Sequence, residues 1–250
     1  MIKAIFFDLD GTLRQNEPRG SQVFAEHAAQ LGLRVREDDR LRAMRWEHYY
    51  WANSRELKQD RARYDGNDAE FWTRYSHRQL VALGASGRQA GEMAPRLRQY
   101  MDARYNPQSS VPEEIPGVLR HLQNEGYALA IISNRREPYQ EEVDALGLAP
   151  YFAFSLASGE IQIWKPDPGV FLHACQRVPV EPAEAMYVGD NYFADVVGAR
   201  GAGLMPVLYD PLGIFDDPEC AVIRSFTELF PLLSRERSMP DEPRPAGSTG

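Results

Sequence analysis

The chain opens Ile2-Lys3-Ala4-Ile5-Phe6-Phe7-Asp8-Leu9-Asp10-Gly11-Thr12, an almost unbroken apolar run that ends in two acids, a glycine and a hydroxyl. A short run rich in Ile and Phe, without polar alternation, reads as a strand buried on both faces, and such strands belong to parallel sheets. Comparable runs recur at 128–133, 152–155, 185–189 and 205–208, each separated from the next by a segment long enough for a crossover. That alternation predicts an α/β fold with a parallel sheet.

From 16 to 110 no comparable run occurs, and apolar residues return at helical spacing instead. Leu41, Met44, His48 and Trp51 form one stripe; Phe71, Trp72, Tyr75 and Leu83 a second; Met93, Leu97, Tyr100 and Met101 a third. Breakers border this block, Asn16-Glu17-Pro18-Arg19-Gly20 on one side and Asn106-Pro107-Gln108-Ser109-Ser110-Val111-Pro112 on the other, as at hinges. The expected organisation is an α/β core at 1–15 and 111–233, an inserted α-helical cap at 16–110, and a proline-rich disordered tail at 234–250.

Composition narrows the function. With 250 residues, 43% hydrophobic and 26% charged, the chain has enough apolar side chain for a sizeable core. Its 36 acidic against 28 basic residues leave a net charge of −8, which disfavours nucleic acid and anionic membrane as partners. Cys175 and Cys220 lack metal-site or redox spacing and suit a reducing compartment, and Asp8 interrupts the amino-terminal apolar run too early for a signal peptide. The expected setting is cytoplasmic.

Four short segments carry the chemistry. Asp8 and Asp10, two apart on an extended segment, are expected to point the same way at the carboxyl end of the first strand, where open α/β sheets bind ligands. Ser133-Asn134 ends the second run with a hydroxyl, an amide and free backbone donors suited to an anion. Lys165 is one of only three lysines beside 25 arginines, and Pro166-Asp167-Pro168 stiffens the turn after it. A compact ammonium there suits a phosphate or an aspartate. Gly189-Asp190 ends a further run, with Asp195 five residues on; Asp190 together with Asp8 and Asp10 makes a hard oxygen donor set of the kind magnesium takes. Each segment also has a plain structural reading: an Asp-Gly turn, helix caps at Asn134 and Asp190, a surface lysine.

In order and spacing, Asp8-Leu9-Asp10-Gly11-Thr12, Ser133-Asn134, Lys165-Pro166-Asp167 and Gly189-Asp190 with Asp195 resemble the four motifs of the haloacid-dehalogenase-like hydrolase superfamily. The resemblance implies a doubly wound, Rossmann-like core and phosphoryl transfer through an aspartyl phosphate. It implies Asp8 as nucleophile and Asp10 as general acid and base. Mg2+ would be held by Asp8, the backbone carbonyl of Asp10, and Asp190. Ser133, Asn134 and Lys165 would bind phosphate, with Asp195 supporting the site. The implied enzyme is a magnesium-dependent phosphatase acting on a small phosphorylated metabolite. The superfamily's dehalogenases lack a second acid at the position of Asp10, which favours phosphate chemistry.

A phosphomutase, a phosphonate hydrolase using Lys58 for an imine, and a binding protein without catalysis are the alternatives. Lys58 lies in the alternating-charge run Arg55-Glu56-Leu57-Lys58-Gln59-Asp60-Arg61, which reads as a solvated helix face. Trp46, Tyr49, Tyr50 and Trp51 are expected to pack a helical bundle or line a substrate pocket, with Arg45 near a second anionic group. Arg14-Gln15 departs from the small or acidic residue frequent after the first motif.

Overall fold

The computed structural model describes residues 1–238. Along the chain, β1 (Ala4–Phe7) and β2 (Gln15–Glu17) precede five helices: α1 (Gly20–Gln30), α2 (Glu37–Trp51), α3 (Arg55–Arg63), α4 (Asp68–Ala82) and α5 (Gly87–Arg104). The chain continues through β3 (Gln108–Ser110), α6 (Ile115–Asn124), β4 (Ala128–Ser133), α7 (Gln140–Ala145), β5 (Phe154–Ala157), α8 (Ser158–Ile161) and α9 (Pro168–Arg177). It ends with β6 (Ala185–Gly189), α10 (Val197–Gly201), β7 (Met205–Tyr209), β8 (Ala221–Ile223) and α11 (Leu229–Ser238).

Six strands form one parallel sheet in the order β5-β4-β1-β6-β7-β8. Alternate side chains of the central strands serve opposite faces, as a two-residue period requires. Ile5, Phe7, Leu129, Ile131, Met186 and Val188 join the apolar layer that includes Val118, Leu122 and Leu229 from α6 and α11. Ala4, Phe6, Ala130, Ile132, Ala185 and Tyr187 join the layer that includes Phe171, Ala174 and Ala199 from α9 and α10. Burial on both faces explains why these strands read as continuous apolar runs. The chain leaves β1 toward β4 and β5, then returns to β1's other side with β6. Phe7 accordingly lies between Ile131 and Val188, and the ends of β1 and β6 flank the switch point where open sheets bind ligands.

The first strand is shorter than its apolar run, ending at Phe7, and the expected strand at 152–155 begins two residues later. β8 has only three residues, Ala221-Val222-Ile223, an apolar run too short to read as a strand from sequence. The two expected hinge segments pair with each other: β2 and β3 run antiparallel, with Gln15 opposite Ser110 and Glu17 opposite Gln108. Entry to and exit from the helical insertion are therefore one two-stranded ribbon.

The insertion has its own apolar clusters. Phe24, Leu80, Met93 and Leu97 pack together from α1, α4 and α5, while Tyr50, Leu57 and Tyr75 form a smaller group with Trp46, Trp51 and Phe71 around it. Ser54, Asn67 and Ser86 cap α3, α4 and α5 by accepting from backbone N–H groups three residues on. α11 extends to Ser238, so the expected tail cannot begin at 234; residues 239–250 lie outside the described residues.

Candidate active site

Asp8 follows the last residue of β1, and its backbone N–H donates to Val188 O of β6 at 2.9 Å. The side chain is 8% exposed. Lys165, 2% exposed, reaches it from the loop before α9 and donates to Asp8 Oδ1 at 2.6 Å and to Asp195 Oδ1 at 2.7 Å. It also donates to Tyr187 OH at 2.9 Å, and that hydroxyl donates to Ile132 O. Burial by itself would lower the Lys165 ammonium's pKa, but Asp195 and Asp8 outweigh it and hold the group protonated, above its ordinary value.

Asp8, Asp190 and Asp195 each place a carboxylate oxygen within 4.8 Å of the others. Burial, then the neighbouring carboxylate of Asp195, pushes Asp190 up to about 8, against the opposing hydrogen bond from Thr12. Asp8 is also pushed well up by burial, with Lys165 opposing and Asp195, Asp190 and Asp10 adding to the rise. Three acids, Asp8 and Asp195 buried and Asp190 partly so, with one ammonium among them form an oxygen-only donor set short of positive charge, and a divalent cation fits it. Thr12 orients Asp190: its hydroxyl donates to Asp190 Oδ1 at 3.1 Å and accepts from Asp190 N at 3.0 Å. Gly11 makes the close approach possible, since with φ +87° a Cβ there would sit 2.3 Å from Asp190 Oδ2.

Asp195, expected to support the site, does so through both oxygens, because Oδ2 accepts from Asn191 N at 2.9 Å while Oδ1 takes Lys165. Its oxygens also bring it into the trio of acids, closer to the candidate metal position than a purely supporting role implies.

Asp10 departs from the expected geometry. The strand ends at Phe7, and Leu9 O accepts from both Thr12 N and Arg14 N, so Asp10 lies on a turn rather than two places along a continuous strand. Its side chain lines the same cleft but is 40% exposed and stands outside the acid trio. Arg135 grips it in bidentate fashion, Nε to Oδ2 and Nη2 to Oδ1, both at 2.8 Å. Arg14 donates to the same carboxylate through Nη1 and to Ser109 Oγ on β3 through Nη2. Partial burial alone would raise Asp10, but Arg135 and Arg14 win and hold it below the usual carboxylate value.

Asn134, expected to bind phosphate, turns its side chain to the lysine loop instead. Its Oδ1 accepts from Lys165 N at 2.7 Å and Ser158 Oγ at 3.0 Å, and its Nδ2 donates to Lys165 O at 2.9 Å. With both acceptor positions of Oδ1 and one N–H of Nδ2 in use, Asn134 braces Lys165, and its second N–H is the only strong position left to the amide. Ser133 is buried, lines the cleft, and makes no hydrogen bond through its hydroxyl to another described residue, which leaves that group for a ligand.

The cleft above these groups has a volume of about 660 Å³ and is walled on the far side by Met44, Glu47, His48, Trp51, Leu57, Arg61 and Trp72 of the insertion. The first sequence stripe, through Met44, His48 and Trp51, thus turns in part toward the cleft rather than only into a bundle. Burial raises the carboxyl of Glu47 and lowers the imidazole of His48, so both favour their neutral forms. Lys58 is exposed on α3 and does not line the cleft. Arg45, expected near a substrate anion, donates to Ile214 O and pairs with Asp216 at 2.7 Å, docking α2 on a loop of the sheet. Asn191 Nδ2 adds a bond to His48 O at 2.9 Å.

Sequence reading missed Arg135, Tyr187 and Glu142. Nothing in spacing separates Arg135 from Arg136, and Tyr187 is one more aromatic in an apolar run. Only position shows Arg135 joining Asp10 to Glu142, and Tyr187 seating Lys165.

An open parallel sheet with a lysine-bound aspartate, two further acids and a free hydroxyl at its carboxyl edge defines a class of α/β hydrolases. The chain belongs to the haloacid dehalogenase-like hydrolase family, whose model matches residues 2–203. It is 32% identical to a phosphoserine phosphatase of Thermus thermophilus, over 88% of this chain and 93% of that protein. Among solved structures, a haloacid-dehalogenase-type phosphatase from Thermococcus onnurineus is 26% identical with a TM-score of 0.54, covering 93% of this chain and 98% of that one. A 2-haloacid dehalogenase from Pseudomonas syringae is 28% identical with a TM-score of 0.55, covering 94% and 100%. No helix among the described residues is long and apolar enough to cross a membrane.

Proposed function

We propose that the protein is a magnesium-dependent phosphatase that hydrolyses a small phosphorylated metabolite through an aspartyl phosphate on Asp8, with 16–110 acting as its cap and a reducing cytoplasm as its setting. The observation that carries this reading is the buried Asp8 carboxylate at the cleft floor, held at 2.6 Å by Lys165 and grouped with Asp190 and Asp195. The phosphatase named among the relatives supports it.

Asp8 and Asp190, with the backbone carbonyl of Asp10 and with Asp195 behind them, would hold Mg2+. When bound, the ion supplies positive charge that offsets the repulsion between these carboxylates and an incoming phosphate. Lys165 fixes the Asp8 oxygen it binds and leaves the other for attack on phosphorus. As the Asp8–phosphorus bond forms, the phosphorus–oxygen bond to the leaving alcohol breaks, and that oxygen takes a proton from Asp10. Water then attacks phosphorus, gives its proton back to Asp10, and frees Asp8.

The two arginines on Asp10 favour its carboxylate form, which suits the second half of the cycle. The first half needs the proton, and it gains from Arg14 or Arg135 turning from Asp10 to a phosphate dianion at the cleft floor. Ser133 donates to a phosphate oxygen. Exposure of Lys58 argues against the imine of a phosphonate hydrolase, and the presence of Asp10 argues against dehalogenation.

The test is phosphate release from a panel of small esters by the purified protein, with Mg2+, with chelator, and with Asp8→Asn. Release that needs both Mg2+ and Asp8 is the expected result. Absence of release from every ester by folded protein would sink the phosphatase reading and move weight to a mutase or a binding protein.

A further inference from the structure

The run from Arg55 to Arg61 reads as a solvated helix face, and Arg55, Lys58 and Gln59 are exposed as that reading requires. Arg61 is not. It is half-buried, one helical turn beyond Leu57, and the two residues line the cleft together. Arg61 also lines an adjoining groove of about 540 Å³, with Asn134, Arg135 and Arg136 from the loop after β4.

The other basic groups near the reacting end of the cleft are matched by acids. Lys165 pairs with Asp8 and Asp195, and Arg14 and Arg135 each pair with Asp10 and Glu142. Among the described residues, Arg61 has no carboxylate within ion-pair distance and no hydrogen-bond acceptor, a condition it shares in the cleft wall only with Arg19. What sets Arg61 apart is its neighbour. Burial and then the like charge of Arg136 both work against its protonated form. A guanidinium of the helical insertion and a guanidinium of the loop after β4 therefore share the lining of the groove that adjoins the cleft. Of the acids lining the groove, Glu142 is already taken by Arg135 and Arg14, and Glu137 and Glu141 are exposed.

Two unmatched guanidiniums in a partly desolvated gap are unfavourable alone and become favourable around an anion. Trp51, Leu57 and Trp72, which line the cleft on the same side, provide apolar surface for the carbon frame carrying such a group.

We propose that Arg61, with Arg136 in the same groove, is the subsite for a second anionic group on the substrate. The substrate class is then a phosphate monoester whose leaving alcohol carries a carboxylate or a further phosphate. This refines the phosphatase reading, and the binding experiment below separates the two.

In the Asp8→Asn background with Mg2+ present, calorimetry would compare phosphoglycerate with glycerol phosphate, a matched pair that differs in the carboxylate. The expected result is tighter binding of phosphoglycerate. Arg61→Ala should weaken that ester by roughly 10- to 100-fold, the range of a lost charge-assisted bond, and leave glycerol phosphate within about twofold. Arg61→Lys should recover part of the loss, and Arg136→Ala, at an exposed position that folding tolerates, should act in the same direction. Equal weakening of both esters, or of neither, overturns the subsite. Selective binding through Arg61 without phosphate release by the Asp8 enzyme would uphold the subsite and remove the phosphatase reading alone.

Discussion

The ammonium of Lys165 lies 2.6 Å from the carboxylate of Asp8, and both side chains are almost wholly withdrawn from water. A buried pair of this kind contributes less to stability than to placement, since desolvation consumes much of its Coulomb energy. Its value lies in aiming one aspartate oxygen and in keeping three crowded acids in one folded arrangement.

Lys165→Ala should lower kcat at least ~100-fold, the scale of losing a fixed cation at a developing charge. It should also cost about 3 kcal/mol or more of stability near pH 8, because Asp8 and Asp195 lose their shared partner. Denaturant unfolding and steady-state kinetics check both. A variant as stable as the parent would show that the acids do not depend on the lysine.

Metal removal should make stability depend on pH in a particular sense. Asp190 is raised from an ordinary 3.8 to about 8, so the folded state holds a proton that the unfolded state has released across that window. The unfolded chain then binds fewer protons, and stability falls as pH rises from about 4 to about 8. Mg2+ binding to the ionised acids should remove that slope and raise the melting temperature most at the alkaline end. Thermal melts with chelator and with Mg2+ from pH 5 to pH 9 are the measurement, and parallel curves would contradict the assignment of the metal to these acids.

Asn134→Ala should act through Lys165. The amide makes three bonds, to Lys165 N, Lys165 O and Ser158 Oγ, and keeps a single Nδ2 N–H beyond them, so most of its capacity is spent on the lysine loop. The expectation is a fall in kcat of about tenfold with KM changed little, since a misaimed lysine costs the transition state more than the ground state. A large rise in KM at constant kcat would identify Asn134 as a phosphate ligand after all.

Arg14→Gln should move the pH profile. Arg135 and Arg14 together depress Asp10, so removing one guanidinium lets its pKa rise toward the usual carboxylate range. The proton-donating form of Asp10 then persists to higher pH, and the alkaline limb of kcat/KM should shift upward. An unshifted limb would mean that a different group sets it.

The order of buried strands and the four strand-end motifs were legible in the sequence, and with them Asp8, Ser133, Lys165, Asp190 and Asp195 as neighbours. These features are local: a strand buried on both faces must be continuously apolar, and a carboxyl-edge site must fall where such a run stops. The helical character of 16–110 was legible for the same reason, through its periodicity. β2 and β3 were not, because a polar three-residue strand carries no pattern until its partner, more than ninety residues away, is beside it.

What each site residue does was decided by the tertiary structure. Asp8 and Asp10 are two apart in sequence, yet one is sealed against Lys165 and the other is turned out to Arg135 and Arg14, because the strand has ended at Phe7 and the chain turns at Leu9 between them. Arg55 and Arg61 look alike in one charged run, yet the first meets water and the second lines the groove beside the cleft with Arg136. Residue type and spacing record what a side chain can bind; burial, charge balance and the partner that arrives from a distant segment select what it does bind, and those exist only once the chain has folded.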